Sequence, residues 1–371
     1  MIISANTTGK NAALTFMTDN QAQEYCVVVV KGTFHTDNAG RLSLCDTQRP
    51  LYFTDIHIGD PESTPILYGT DFTLMKPYAE VLVVGNACAV KDKPVKRIVA
   101  SLQIGRNVKQ LEVIGDRYWM TVGGELIPSD PMPFTRIPLT YDRTFGGFDD
   151  TDGESGVAVV PENPCGTGFN PKRVKIDVEG TRLPNISLPG ETLRHFRGTM
   201  TPIGIGVIGR HWQPRASFAG TYDQHWLDHI TPFLPADFDT RYFMNSTPDQ
   251  WCPYFKGGEI IRCVNMSLQQ TVSYAIPEAE LAISFHFDNR IVRQNAVLDT
   301  VVLEPHRQLA MLTWRASQPV GKKLLRLKEI KIGQQPAQSA GNGRRMRNGK
   351  PYFSNLGSAV AWLQSRHGRR T

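Results

Sequence analysis

Apolar residues along this chain cluster in short runs, and the runs carry the period of strands, not helices. YCVVVVKGTFH (25–35) is a strand of the buried kind, apolar at consecutive positions and closed by polar residues. HTDNAGRLSLC (35–45) offers a glycine-containing turn into a second strand. AEVLVVGNACAV (79–90), PVKRIVASLQIG (94–105) and VKQLEVIGDRYW (108–119) follow, each rich in Val and Ile. Each is closed by Gly, Asp or Lys-Asp, residues that favour turns. Strands this close together predict antiparallel pairing in a sandwich or barrel, not βαβ units.

The middle, residues 128–250, has another texture. PSDPMPF, FGGFDDTDGESG, PENPCGTGFNP and LPNISLPG scatter proline and glycine every few residues. Long helices cannot form there. A structureless loop of that length is rare in a compact domain, so the expectation is ordered coil and short strands wrapped over the sheets. Strand patterning returns in GGEIIRCVNMS, TVSYAIP, LAISFHFD, LDTVVLEPH, QLAMLTWRA and LLRLKEIKI. The fold predicted is therefore mainly β: two packed sets of antiparallel strands, 1–127 and 251–335, joined by the ordered Pro/Gly-rich middle. Together these make one body, 1–335. A Gln/Ser/Gly/Asn-rich linker follows within the tail 336–371, and then SNLGSAVAWLQSRHG. There Leu356, Val360 and Leu363 fall at helical spacing, with Trp362 beside them, which predicts a short C-terminal helix.

Charge changes the picture only at the tail. The chain of 371 residues carries a net +6. From Pro336 onward lie Arg344, Arg345, Arg347, Lys350, Arg366, Arg369 and Arg370, with no acid, which leaves the body near −1. The body is not a basic nucleic-acid platform; the tail is the one place where an acidic partner or a nucleic acid would be met. The longest apolar run, 26–30, is strand-sized and far short of a membrane span. The N-terminus MIISANTTGK lacks the pattern of a secretory signal. Six scattered cysteines without a CxxC read as free thiols in a reducing cytoplasm.

Four stretches invite a chemical reading. GIGVIG (204–209) matches GxGxxG, but TMTP precedes it and RHWQPR follows, so the strand and helix of a dinucleotide site are missing. The bland alternative is a glycine-rich segment packed closely on its neighbours. His225 and His229 are four apart, which on a helix places both imidazoles on one face. Trp226 stands where HExxH has glutamate, and Pro232 and Pro235 leave little room for a helix. No metal and no cofactor is expected. Asp237 and Asp239, if extended, point to one side and would hold a cation or work as acid and base. Arg241 falls on that side too and favours a structural ion pair that keeps both carboxylates charged. Tyr222, Trp226, Phe233, Phe238, Tyr242 and Phe243 each cover about 150–250 Å² and, between prolines, make a staple for the core or an interface. No nucleophile motif such as GxSxG is present.

The order of blocks from Tyr25 to Pro319 resembles the DUF2169 family of bacterial proteins. It runs VVVVKGTF, DFTLMKPYAEVLVVGNA, VIGDRYW, PLTYDRTFGG, NPCGTGF, LPNI, RHWQPR, AGTYDQHW, PFLPADFDTRYF, GGEIIRCVN, LDTVVLEP and LTWRA. Cys165, Thr167 and Thr144 depart from the wording usual in these blocks, and the tail lies outside them. The resemblance implies a cytoplasmic adaptor or chaperone, not an enzyme. It would bind a type VI secretion effector and help load it on the VgrG or PAAR-type spike. The residues expected to meet a partner are Tyr222, Trp226, Asp237, Asp239 and Arg241, with Leu356, Val360, Trp362 and Leu363 of the tail. The rival expectations are a hydrolase or carbohydrate-active β protein using Asp237 and Asp239, and nucleic-acid binding through the tail.

Overall fold

The computed structural model describes residues 2–150, 157–171, 178–277 and 280–334, with the backbone of 346–347 and 350–351. The chain divides into two units, Met1–Gln334 and Gln335–Thr371. In the second, Met346–Arg347 pairs with Lys350–Pro351; the helix expected around Leu356, Val360, Trp362 and Leu363 lies outside the described residues.

The first unit is built on three sheets, and the mainly β expectation is borne out. The largest has seven strands. Its path runs Trp251–Cys252, Ala79–Val83, Val297–Glu304, Leu309–Pro319, Glu24–Thr36, Asn11–Thr18, and Leu42–Leu44 also pairs with Glu24–Thr36. The second has five strands in the order Ile186–Ser187, Asn107–Ile114, Arg97–Ile104, Ile260–Val264, Thr271–Ala275. The third has four, Ile2–Asn6, Leu327–Gln334, Leu281–Phe287, Arg290–Asn295. Most pairs are antiparallel; Val297–Glu304 with Ala79–Val83, and Ile2–Asn6 with Leu327–Gln334, are parallel. The early and late strands interleave. Arg97–Ile104 pairs with Ile260–Val264, and Glu24–Thr36 pairs with Leu309–Pro319.

One apolar core draws on all three sheets. Val28, Val30, Val81, Val83, Val301, Leu312 and Trp314 of the large sheet meet Leu102, Leu111, Val113, Ile261, Ile283, Phe285 and Ile330 of the others. This is the packing of a sandwich, and among the described residues no sheet closes into a barrel. The strand Glu24–Thr36 is buried on both faces because its odd positions are covered as well. Val27 and Val29 lie under Phe72 and Leu74, while Leu82 lies under Ile66 and Val207. That explains why VVVV does not alternate.

The covered outer face also carries charge. Lys31 Nζ lies 2.9 Å from Asp71, Arg315 Nε lies 2.7 Å from Asp299, and Lys76 bonds Glu80, all buried. Glu80 Oε2 accepts from Asn245 N, Ser246 N and Ser246 Oγ at 2.8–2.9 Å. Arg315 Nη1 donates to the carbonyls of Asp71 and Thr73. These bonds clamp coil 70–76 and coil 244–246 to the sheet. A buried charge persists where a partner and hydrogen bonds replace water, as here.

Among its described residues the middle is ordered coil with strands of two or three residues, 3-10 turns and one six-residue helix. It has a small core of its own, Trp119, Phe145, Leu183, Leu193 and Met200. Two glycine-bearing blocks meet there. Asn163 Nδ2 donates to Tyr141 O at 2.9 Å, Thr144 Oγ1 at 2.7 Å and Phe145 O at 3.1 Å. A Cβ at Gly146 would stand 2.1 Å from Asn163 O. FGG and NPCG are therefore the two halves of one close backbone crossing.

Candidate functional site

The stretch 219–243 lies on the outer coil. It begins beside Arg215, whose side chain is buried. Its Nε donates to Tyr242 O at 2.8 Å and its Nη1 to Ile208 O at 3.0 Å. RHWQPR and DTRYF thus form one joint. Two of the glycines of GIGVIG lie tight against aromatic rings. A Cβ on Gly204 would come within 2.6 Å of the Tyr141 ring, and one on Gly209 within 2.6 Å of the Trp212 indole. No helix opens after Gly209; the 3-10 turn Arg215–Phe218 follows instead. The motif serves close packing.

The short helix Gln224–His229 forms despite the prolines beyond it. Asp223 caps it, accepting from Trp226 N at 2.8 Å. Trp226 O takes both Ile230 N and Thr231 N at the far end, and Trp226 Nε1 donates to Phe233 O at 2.9 Å. The expectation of too little room for a helix is corrected here: Pro232 falls after the last turn, where it breaks nothing. His225 and His229 consequently lie on one face, ring centroids 5.0 Å apart. Among the described residues no group of three or more His, Cys, Asp or Glu is placed to hold a metal.

Asp237 and Asp239 do not form an extended pair. Asp237 accepts from Thr221 N at 3.0 Å and from Thr221 Oγ1 at 2.7 Å, which closes the coil loop on itself. Those hydrogen bonds, the backbone one foremost, hold its carboxyl below the usual aspartate range. Asp239 caps the 3-10 turn Thr240–Phe243 through Arg241 N and pairs with Arg241 Nη2 at 2.6 Å. The side-chain bonds from Arg241 hold Asp239 low as well. The ion pair read from the sequence is present, but a turn, not a strand, brings the two together.

Three large apolar side chains stand exposed among the polar residues of the stretch. Tyr222, Leu227 and Phe233 are 52%, 57% and 41% exposed. Tyr222 packs edge-on against Trp226 with centroids 4.7 Å apart. Arg241 lies over the Phe218 ring at 4.3 Å, Phe218 leans on Trp251, and Trp251 stacks on the exposed Tyr78 at 5.6 Å. Phe238 is half-buried with Tyr242 and Phe243 around it. The structure thus joins Arg241 to Phe218, Tyr78 and Trp251. Sequence reasoning missed these three because they come from separate blocks of the chain.

Elsewhere the surface offers an open groove of about 550 Å³ lined by Tyr254, Phe255, Pro277, Val297 and Trp314 among others. A cleft of about 350 Å³ is bordered by His57, Tyr68, Tyr141, Glu304 and His306. All six cysteines are free, as the sequence led us to expect. Cys165 packs against the Tyr141, Ile208 and Trp212 cluster, where burial pushes its thiol up to about 12 and leaves it a poor nucleophile. No described helix is long and apolar enough to cross a membrane.

Fold and surface together define a mainly β protein whose Pro/Gly-rich coil is clamped over one face of its largest sheet. The chain belongs to the family DUF2169, described as an uncharacterized protein conserved in bacteria, whose pattern matches residues 21–315. Neither a curated protein nor a solved structure was found to match it.

Proposed function

We propose that this protein is a cytoplasmic adaptor that binds a type VI secretion effector and helps load it on a VgrG or PAAR-type spike, without turnover. The observation that carries this reading is the set of exposed apolar side chains on stretch 219–243. Tyr222, Leu227 and Phe233 stand exposed on a coil tied down by Asp223, Asp237 and Asp239. Aromatic residues and arginine supply most of the energy of protein interfaces, and a surface that is already rigid loses little entropy on binding. Arg241 held over Phe218 extends the face with a charge. The carboxylates that a hydrolytic reading needs are each engaged in a local cap, which supports binding over acid-base chemistry.

The test is co-purification from the native bacterium with the full chain as bait. The adaptor reading expects an effector and spike components in the eluate. It also expects their loss, by tenfold or more, with the pair Trp226→Ala and Arg241→Ala in a chain that still folds. Recovery of neither effector nor spike protein overturns the reading. A hydrolytic activity abolished by Asp239→Asn supports the rival enzyme instead. Binding of nucleic acid that collapses with salt and vanishes on truncation at Pro336 supports the other rival.

A further inference from the structure

His225 and His229 have no structural employment in the described protein. Each is solvent-exposed, and neither imidazole takes part in a described hydrogen bond or ion pair; the one contact recorded for each is the other ring. Three other histidines in the body do have such partners. The His57 ring bonds Thr64 O, His211 accepts from the Trp212 indole, and His286 lies beside Glu329. The two imidazoles stand one helical turn apart with ring centroids 5.0 Å apart, the i, i+4 spacing at which two histidines on a helix can share one ion. The helix that carries them is short, so its own propensity would not hold the spacing. The Asp223 cap, the two hydrogen bonds that Ile230 N and Thr231 N donate to Trp226 O, and the Trp226–Phe233 tether hold it instead.

We infer that His225 and His229 form a two-nitrogen chelate for a single late first-row divalent cation on the surface of stretch 219–243. Imidazole nitrogen selects copper, nickel and zinc over magnesium and calcium, which prefer oxygen. Asp228 lies on the same short helix, three residues after His225 and next to His229. Its Oδ1 accepts from Gln224 Nε2 at 2.9 Å, so it adds negative charge beside the pair without completing a three-donor set. The remaining coordination positions face solvent. They are open to water or to a donor from another molecule. The inference stands whether or not the face also binds an effector.

The experiment is calorimetric titration of the full, tag-free chain with Ni²⁺, a probe that does not oxidise the free cysteines. One saturable site per chain is expected, and Mg²⁺ should give no heat. Loss of a single ligand should weaken Ni²⁺ by at least about tenfold, since even outer-shell partners of a metal are worth that much. His225→Ala and His229→Ala should each do so, while His286→Ala should leave binding unchanged. Circular dichroism of each variant should match wild type, because both rings are exposed. Three results overturn the inference: no saturable Ni²⁺ site in the wild type, a site that survives the double substitution, or one that depends on only one of the two histidines.

Discussion

Asp239 does two jobs with one carboxylate, and they can be separated at the level of the residue. Oδ1 accepts from Arg241 N as a cap, and Oδ2 pairs with the Arg241 guanidinium. Asp239→Asn keeps an acceptor for the cap and removes the ion pair. Both side chains are about a third or more exposed, so solvent screens the pair and its loss should cost under about 1 kcal/mol in urea denaturation. Asp239→Ala removes the cap too and should cost about 1 kcal/mol more. The pH dependence has a definite sign. The folded protein holds this carboxyl below its unfolded value, so on acidification the unfolded chain takes up the proton first. The stabilising increment is therefore full above about pH 4 and fades as pH falls through the folded value. The stability gap between wild type and Asp239→Asn should shrink as pH falls below about 4; a gap that stays constant on acidification would show that the ion pair contributes nothing. At this scale the sequence was a good guide to partners and a poor one to geometry. Arg241 was expected beside Asp239 because both fall on one side of an extended chain. They meet because a 3-10 turn reverses the backbone, which no spacing rule distinguishes.

Elements in the middle of the chain are shaped by glycine, and two neighbours in GIGVIG give opposite expectations. A Cβ on Gly204 would enter the ring of Tyr141, which is itself wedged edge-on against Trp212. Space around Gly206 is open. Gly204→Ala should thus destabilise by on the order of 1–3 kcal/mol through overpacking, while Gly206→Ala should stay within about 0.5 kcal/mol of wild type. Equal losses at the two would mean that Tyr141 moves aside and that the close contact is not what requires glycine. The strands were readable because β patterning is local: runs such as LAISFHF announce themselves by alternation and branching. The helix Gln224–His229 was not. Its nearest signals are two prolines that argue against it, and its support comes from an Asx cap and a tryptophan that reaches a carbonyl seven residues on. The site was legible in its aromatics and its Asp–Arg pair, but not in its neighbours. Phe218, Tyr78 and Trp251 reach Arg241 only through tertiary packing, and one sequence says nothing of which distant blocks touch.

The molecule as a whole is held by long-range pairings, and this sets what its parts can do alone. The N-terminal strands Glu24–Thr36 and Arg97–Ile104 take partners from Leu309–Pro319 and Ile260–Val264, more than a hundred residues away. The buried ion pairs bind the layers the same way: Lys76 bonds Glu80, and Glu80 in turn receives Asn245 and Ser246. Replacing Glu80 by Gln leaves the Lys76 ammonium, which is buried, without its counter-charge. That should cost on the order of 3–5 kcal/mol, far more than any surface pair. Because the three sheets share one core, the loss should appear as one cooperative transition at lower denaturant, not as a separate melting of coil 244–246. The same interdependence forbids a stable N-terminal third. A fragment of residues 1–127 retains the hairpin Arg97–Ile104 with Asn107–Ile114 and the pair Asn11–Thr18 with Glu24–Thr36. It loses the partners on the other edge of Arg97–Ile104 and of Glu24–Thr36, together with the apolar side chains that cover both. Isolated hairpins with one bare face are marginal in water, and exposed strand edges invite association. The fragment should therefore show no cooperative unfolding transition by circular dichroism and should aggregate on concentration. A soluble 1–127 with a sharp melt would mean that the early strands form a sheet of their own, and that the interleaving with strands after residue 251 is not what stabilises them.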